Sequence, residues 1–97
     1  MNNLFNDNPM IETPPVTLKA ITMYSTTWCG DCRRAKYLMK EWGVEFEEVD
    51  IERTPGAAEK VMGWANGKRV VPTILVNEQV LVNPRVRELA LAIGVEL

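Results

Sequence analysis

Thr26-Thr27-Trp28-Cys29-Gly30-Asp31-Cys32-Arg33-Arg34 contains both cysteines of the chain, in a C-x-x-C arrangement. What flanks this stretch decides the fold. Upstream, Leu18 to Tyr24 (L-K-A-I-T-M-Y) is a short, mostly apolar run with β-forming residues, the pattern of a buried strand. Downstream, Ala35, Leu38, Met39 and Trp42 recur at i, i+3, i+4 and i+7, the stripe of an amphipathic helix. Gly43 stands where a helix-terminating glycine belongs. The cysteines therefore fall at a strand-to-helix junction.

That position has chemical consequences. The Cys29 sulfur can face the unpaired N–H groups of the helix's first turn and the positive end of its dipole. Both favour a thiolate, which is the nucleophilic form of cysteine. Cys32 lies one turn deeper on the same side, within reach of a sulfur bound to Cys29 but shielded itself. Arg33 and Arg34 favour an anionic sulfur and Asp31 opposes it, yet exposed charges are screened. The N–H donors and the dipole outweigh them. Three other readings compete. A structural disulfide closing so short a loop constrains the unfolded chain little. A zinc site needs four ligands, and this sequence has no histidine and no further cysteine. Two inert buried cysteines leave the spacing unexplained. The pattern at this junction points to a redox pair, with Cys29 attacking and Cys32 resolving.

Outward from the junction, Glu45 to Ile51 reads as a second strand, with Phe46 out of phase with Val49 and Ile51. Thr54-Pro55 is a cap-plus-proline signal opening a helix that carries Ala58, Val61, Met62 and Ala65 and ends at Asn66-Gly67. Gly63 weakens that helix. Residues 70–76 (V-V-P-T-I-L-V) read as a strand entered through Pro72, N-E-Q as a turn, and V-L-V (80–82) as its hairpin partner. Asn83-Pro84 repeats the cap-plus-proline signal before the stripe Val86, Leu89, Ala90 and Ile93, closed by Gly94. The order is β-α-β-α-β-β-α. It predicts an α/β domain with one mixed four-stranded sheet flanked by helices. In such sheets chemistry gathers beyond the carboxyl ends of strands, where the first strand delivers Cys29. Residues 1–15, rich in Asn and Pro and without periodicity, are expected to be a flexible tail, and 16–97 the folded domain.

Ninety-seven residues suit a single domain, and 46% hydrophobic content is ordinary for a globular chain. A net charge of −2 offers no general attraction to nucleic acid or to anionic membrane, so neither is expected as a partner. The N-terminus shows no basic patch followed by an apolar core, and no run approaches the ~20 apolar residues of a spanning helix. The expected compartment is the cytoplasm. Thiols are kept reduced there, and a C-x-x-C is more often catalytic or metal-binding than structural.

Three segments together, M-Y-S-T-T-W-C-G-D-C-R-R-A-K, V-V-P-T-I-L-V and V-N-P-R, resemble the glutaredoxin branch of the thioredoxin superfamily over roughly residues 18 to 95. The subgroup they are most similar to is the mycoredoxin-like glutaredoxins. The resemblance implies a thioredoxin fold and a thiol–disulfide oxidoreductase with Cys29 as nucleophile and Cys32 as resolving thiol. It further implies that Pro72 is a cis-proline whose loop lies beside the active sulfur. The backbone of Val71 would then face the cysteine, ready to hold an extended substrate as an added strand. No permanently bound cofactor or metal is implied. The expected partners are oxidised or thiolated proteins and a low-molecular-weight thiol, acting on a monomer.

The sequence departs from the glutathione-using members of that family at two places. They commonly carry a lysine where Thr26 stands. Before the last helix they have glycines followed by acidic residues, where this chain has Val82, Asn83, Pro84 and Arg85. A site for an α-amino group has become basic, which brings mycothiol or bacillithiol forward beside glutathione. Trp28 is expected at the active-site rim, in contact with protein substrates. Lys68, Arg69, Arg85 and Arg87 are candidates for an anion-receptive rim. Trp42 and Trp64 read as core, and E-F-E-E as a solvated strand edge. Two rival functions share these residues: a thioredoxin-like reductant recharged by a flavin disulfide reductase, and a carrier of an iron–sulfur cluster held between two subunits.

Overall fold

The computed structural model describes residues 20–97. The tail expected at 1–15, the domain start at residue 16 and the strand start at Leu18 lie outside the described residues.

The chain runs β1 (Ile21–Ser25), α1 (Gly30–Glu41), β2 (Glu47–Asp50), α2 (Ala57–Trp64), β3 (Thr73–Val76), β4 (Gln79–Val82) and α3 (Val86–Ile93). The strands form one sheet in the order β2-β1-β3-β4, with β1 parallel to β2 and antiparallel to β3, and β4 antiparallel to β3. This is the mixed, helix-flanked sheet read from the sequence: an α/β thioredoxin fold.

Period-two alternation divides β1 between two cores. Ile21 and Met23 face α1 and α3, where they meet Ala35, Met39, Ile74, Val76, Leu89 and Ile93. Tyr24 faces the other way, toward Ala57, Ala58 and Val61 of α2. Trp64 packs edge-on against Tyr24, with ring centroids 5.5 Å apart, and Trp42 packs on the first core. Phe46 is out of phase because it precedes the strand and turns onto the α1–α3 core, while Ile51 follows the strand and joins the α2 core. β2 is accordingly shorter than 45–51.

Two helix starts differ from the sequence reading. Thr54-Pro55 does not open α2. The Ala57 N–H returns to the Thr54 carbonyl at 3.1 Å, closing a turn, and Gly56 follows in the left-handed region at φ 83°. A helix cannot run through that conformation, so α2 begins after Gly56. Likewise Asn83-Pro84 is not the cap and first residue of α3. The Asn83 N–H donates to the Pro72 carbonyl at 2.8 Å, prolonging the hairpin, and Asn83 has φ 46°. The cap is Arg85, whose N–H donates to the Glu88 carboxylate at 2.7 Å. At the hairpin, the turn is Asn77-Glu78 rather than N-E-Q, and the Asn77 side chain accepts from the Ala20 N–H at 3.0 Å.

Candidate active site

The sheet topology brings three loops to one end. β1 ends there, β3 begins there because it is antiparallel, and β4 ends there. The loops carry Cys29, Val71-Pro72 and Asn83–Arg85. The Asn83 bond to Pro72 ties the second and third together.

Cys29 is the N-cap of α1. Its sulfur accepts the Cys32 N–H at 3.0 Å, so one orphan donor of the helix is spent on that atom. Sulfur replaces the oxygen that usually plays this role. Cys29 and Cys32 are joined as a disulfide, and both are buried, at 6% and 2% exposure. The Val71–Pro72 peptide is cis, and the Val71 carbonyl oxygen lies 3.6 Å from Cys29 Sγ. The next residue, Thr73, is wholly buried and donates its hydroxyl to the Val70 carbonyl at 2.7 Å, pinning the turn on its far side.

The flanking charges are occupied elsewhere. Arg34 pairs with Asp31 at 3.2 Å on the exposed face of α1, and Arg33 donates to the Thr27 carbonyl at 3.4 Å. The helix N–H is therefore the direct polar contact on Cys29, ahead of any guanidinium.

On one side of the cysteines, a cleft of about 230 Å3 runs between α1 and the start of α3, lined by Asp31, Arg34, Pro72, Asn83, Arg85 and Val86. Of the four cations considered for a basic rim, only Arg85 lines it. Arg69 borders the β2–α2 loop with Glu52 and Glu59, and Arg87 lies toward the chain's end beside Leu91 and Leu97. Trp28 stands out from the surface, 66% exposed, with its indole N–H 3.4 Å from the Glu52 carboxylate.

On the other side, Cys32 shares a polar cavity of about 430 Å3 with Ser25, Thr26, Arg33, Lys36 and Glu48. Glu48 was not legible as part of a site. Its carboxylate accepts the Ser25 hydroxyl at 2.9 Å and pairs with Lys36 at 2.9 Å. Partial burial pushes its pKa up, but the Lys36 ammonium and the Ser25 hydroxyl outweigh that and hold it below the ordinary value. The signal lay in register: Glu48 pairs with Met23, so it shares the α1 face with Ser25.

The Glutaredoxin family profile matches residues 21–81. A Mycobacterium tuberculosis protein with a provisional glutaredoxin name is 40% identical over 70 residues, spanning 71% of this chain and 83% of that one. Mycoredoxin 1 of Corynebacterium glutamicum is 36% identical over 55 residues, spanning 56% of this chain and 66% of that one. Among solved structures, the glutaredoxin of Methanosarcina mazei superposes with a TM-score of 0.68 at 26% identity, covering 77% of this chain and 78% of that one. With its C-x-x-C pair at the head of α1 and a cis-proline loop against it, this chain belongs to the glutaredoxin family of thiol–disulfide oxidoreductases, on its mycoredoxin-like side.

Proposed function

We propose that the protein reduces mixed disulfides between proteins and a low-molecular-weight thiol, with Cys29 as nucleophile. The observation that carries this is the 3.0 Å hydrogen bond from the Cys32 N–H to Cys29 Sγ. A donor fixed by the helix, together with the dipole, favours thiolate at that sulfur and at no other. The thiolate attacks the small thiol's sulfur in the mixed disulfide. The protein thiolate leaves and takes a proton, and Cys29 holds the small thiol. A second small thiol then attacks that disulfide and leaves with the first as the small-thiol disulfide, restoring the Cys29 thiol. Alternatively Cys32 attacks Cys29, closing the Cys29–Cys32 bond and releasing the small thiol as a free thiol.

The Val71 backbone, beside Cys29, is placed to pair with an extended substrate, while Trp28 offers an aromatic face at the rim. Asn83 and Arg85 line the cleft where the rest of the small thiol would lie. Arg85 presents a guanidinium that repels an ammonium group and donates to carboxylates or sugar hydroxyls. This favours mycothiol or bacillithiol over glutathione. Thiolated and oxidised proteins are the macromolecular partners in this reading, the active unit is the monomer, and the setting is the cytoplasm. Among the described residues no helix is long and apolar enough to cross a membrane.

The test offers the oxidised protein glutathione, mycothiol and bacillithiol in turn and compares rates of reduction. Faster reduction by either of the latter two supports the reading, and a preference for glutathione removes the assignment of the thiol. Failure of all three, with turnover by a flavin disulfide reductase, would select the thioredoxin-like alternative.

A further inference from the structure

Thr26 lies in the turn before the cysteines, where the Cys29 N–H approaches the Thr26 carbonyl at 3.4 Å. The residue is 6% exposed, and its hydroxyl is enclosed without a hydrogen-bond partner, the one such side-chain atom among the described residues. Burying an unpaired hydroxyl is unfavourable, and native structures carry few of them. A lysine-like role of reaching out to a substrate does not fit so enclosed a side chain.

The groups around it are mostly engaged. Thr26 and Cys32 line the same cavity. There the Ser25 hydroxyl is given to Glu48, Glu48 also holds Lys36, and Arg33 is given to Thr27. Asp50, which also lines the cavity with Thr27, accepts the Glu52 N–H and pairs with Arg53. Of the lining groups, the Cys32 sulfur is the one whose hydrogen-bonding capacity changes with redox state. In a disulfide it carries no proton and is a weak acceptor, whereas a thiol both donates and accepts. We propose that Thr26 is a positioning residue for the redox couple: its hydroxyl is unpaired while the cysteines are joined and pairs with Cys32 once they are reduced, so that it favours the dithiol. The exchange itself is balanced by the small thiol. Two of its molecules supply two electrons and two protons, the Cys29–Cys32 bond breaks to give two thiols, and the small thiol leaves as its own disulfide.

This inference rests on the two cysteines cycling between disulfide and dithiol, and the experiment separates the two claims. Wild type, Thr26→Val and Thr26→Ser are equilibrated with dithiothreitol redox buffers, and each is melted in both redox states. Thr26→Val keeps the shape and removes the hydroxyl. It should shift the equilibrium toward the disulfide about five- to tenfold, a potential more negative by about 20 to 30 mV. It should also raise the Tm of the oxidised form and lower that of the reduced form. Thr26→Ser should stay near wild type in both respects. An unchanged equilibrium for Thr26→Val, with equal Tm changes in the two states, overturns the proposal, since the hydroxyl is then treated alike in both. A wild type that does not titrate at all overturns the redox cycle beneath it.

Discussion

The cysteine pair stands between two unlike walls. Toward the Ser25 end of β1 and the facing side of α1, the surroundings are polar and tied together: Ser25, Glu48 and Lys36 hold one another, and Thr26 is enclosed beside them. Toward the start of α3, an open cleft carries Arg85, Asn83 and the exposed Asp31–Arg34 pair. The first wall is built across β1, β2 and α1 and cannot move without disturbing the sheet. The second is a turn anchored by the bond of Asn83 to Pro72. The proposed function puts sulfur chemistry on the first, rigid wall and substrate choice on the turn.

The division is most exposed at the sulfurs themselves. Cys29→Ser should abolish all exchange, because no other sulfur is capped by the helix. Cys32→Ser should keep turnover of small-thiol mixed disulfides, where a free thiol resolves the intermediate, and lose most activity on intramolecular protein disulfides. Equal losses for both variants on a mixed-disulfide substrate would erase the distinction. Next in size is the ionisation of Cys29. Iodoacetamide labelling of the reduced protein against pH should give a midpoint below about 7.5, at least a unit under an ordinary thiol. Cys32 should react far more slowly. An ordinary midpoint would mean that the Cys32 N–H does not control the sulfur.

The cleft side predicts a smaller effect of a different kind. Arg85→Asp replaces a guanidinium by a carboxylate at the α3 cap, where Asp is itself a favoured residue, so the helix should form normally. The rate ratio should move toward glutathione by up to about fivefold, since a partly exposed charge is worth at most about 1 kcal/mol. The labelling midpoint of Cys29 should hold. A changed midpoint with an unchanged thiol preference would reverse the roles of the two walls.

The two walls were also unequally legible in the sequence. Cys29 and Cys32 carry their chemistry in residue type and spacing, the cis-proline at Pro72 came with the family resemblance, and apolar runs, helical stripes and turn signals located the strands and helices around them. The helix starts misled because Pro55 and Pro84 serve turns. A proline fits both, and what decides is Gly56 at a left-handed φ and the Asn83 N–H already given to Pro72. Ser25, Lys36 and Glu48 meet only when β2 is set in register against β1, and nothing local in E-F-E-E announces that contact.

Glu48 yields the smallest effect and one whose sign is fixed. Its pKa in the folded protein is depressed, the opposing pull of burial being overcome by Lys36 and Ser25. A depressed carboxylate contributes stability that is fully present above its unfolded pKa of about 4.3, and that is lost as pH falls through the lower folded value. Its side chain is 36% exposed and that of Lys36 33%, so solvent and salt screen the pair. The contribution should lie between a few tenths and about 1 kcal/mol and shrink as salt is added. Glu48→Gln can still accept from Ser25 but cannot pair as a charge. Denaturant titrations of the two proteins should therefore differ by a constant amount above about pH 5 and converge below about pH 4. Because this ion pair braces the wall behind Cys32, resolution of protein disulfides should slow slightly, while the small-thiol rate ratio stays fixed. A stability difference that persists undiminished at low pH would show that Glu48 contributes through packing rather than charge. A shifted thiol preference would show that the rigid wall reaches the substrate after all.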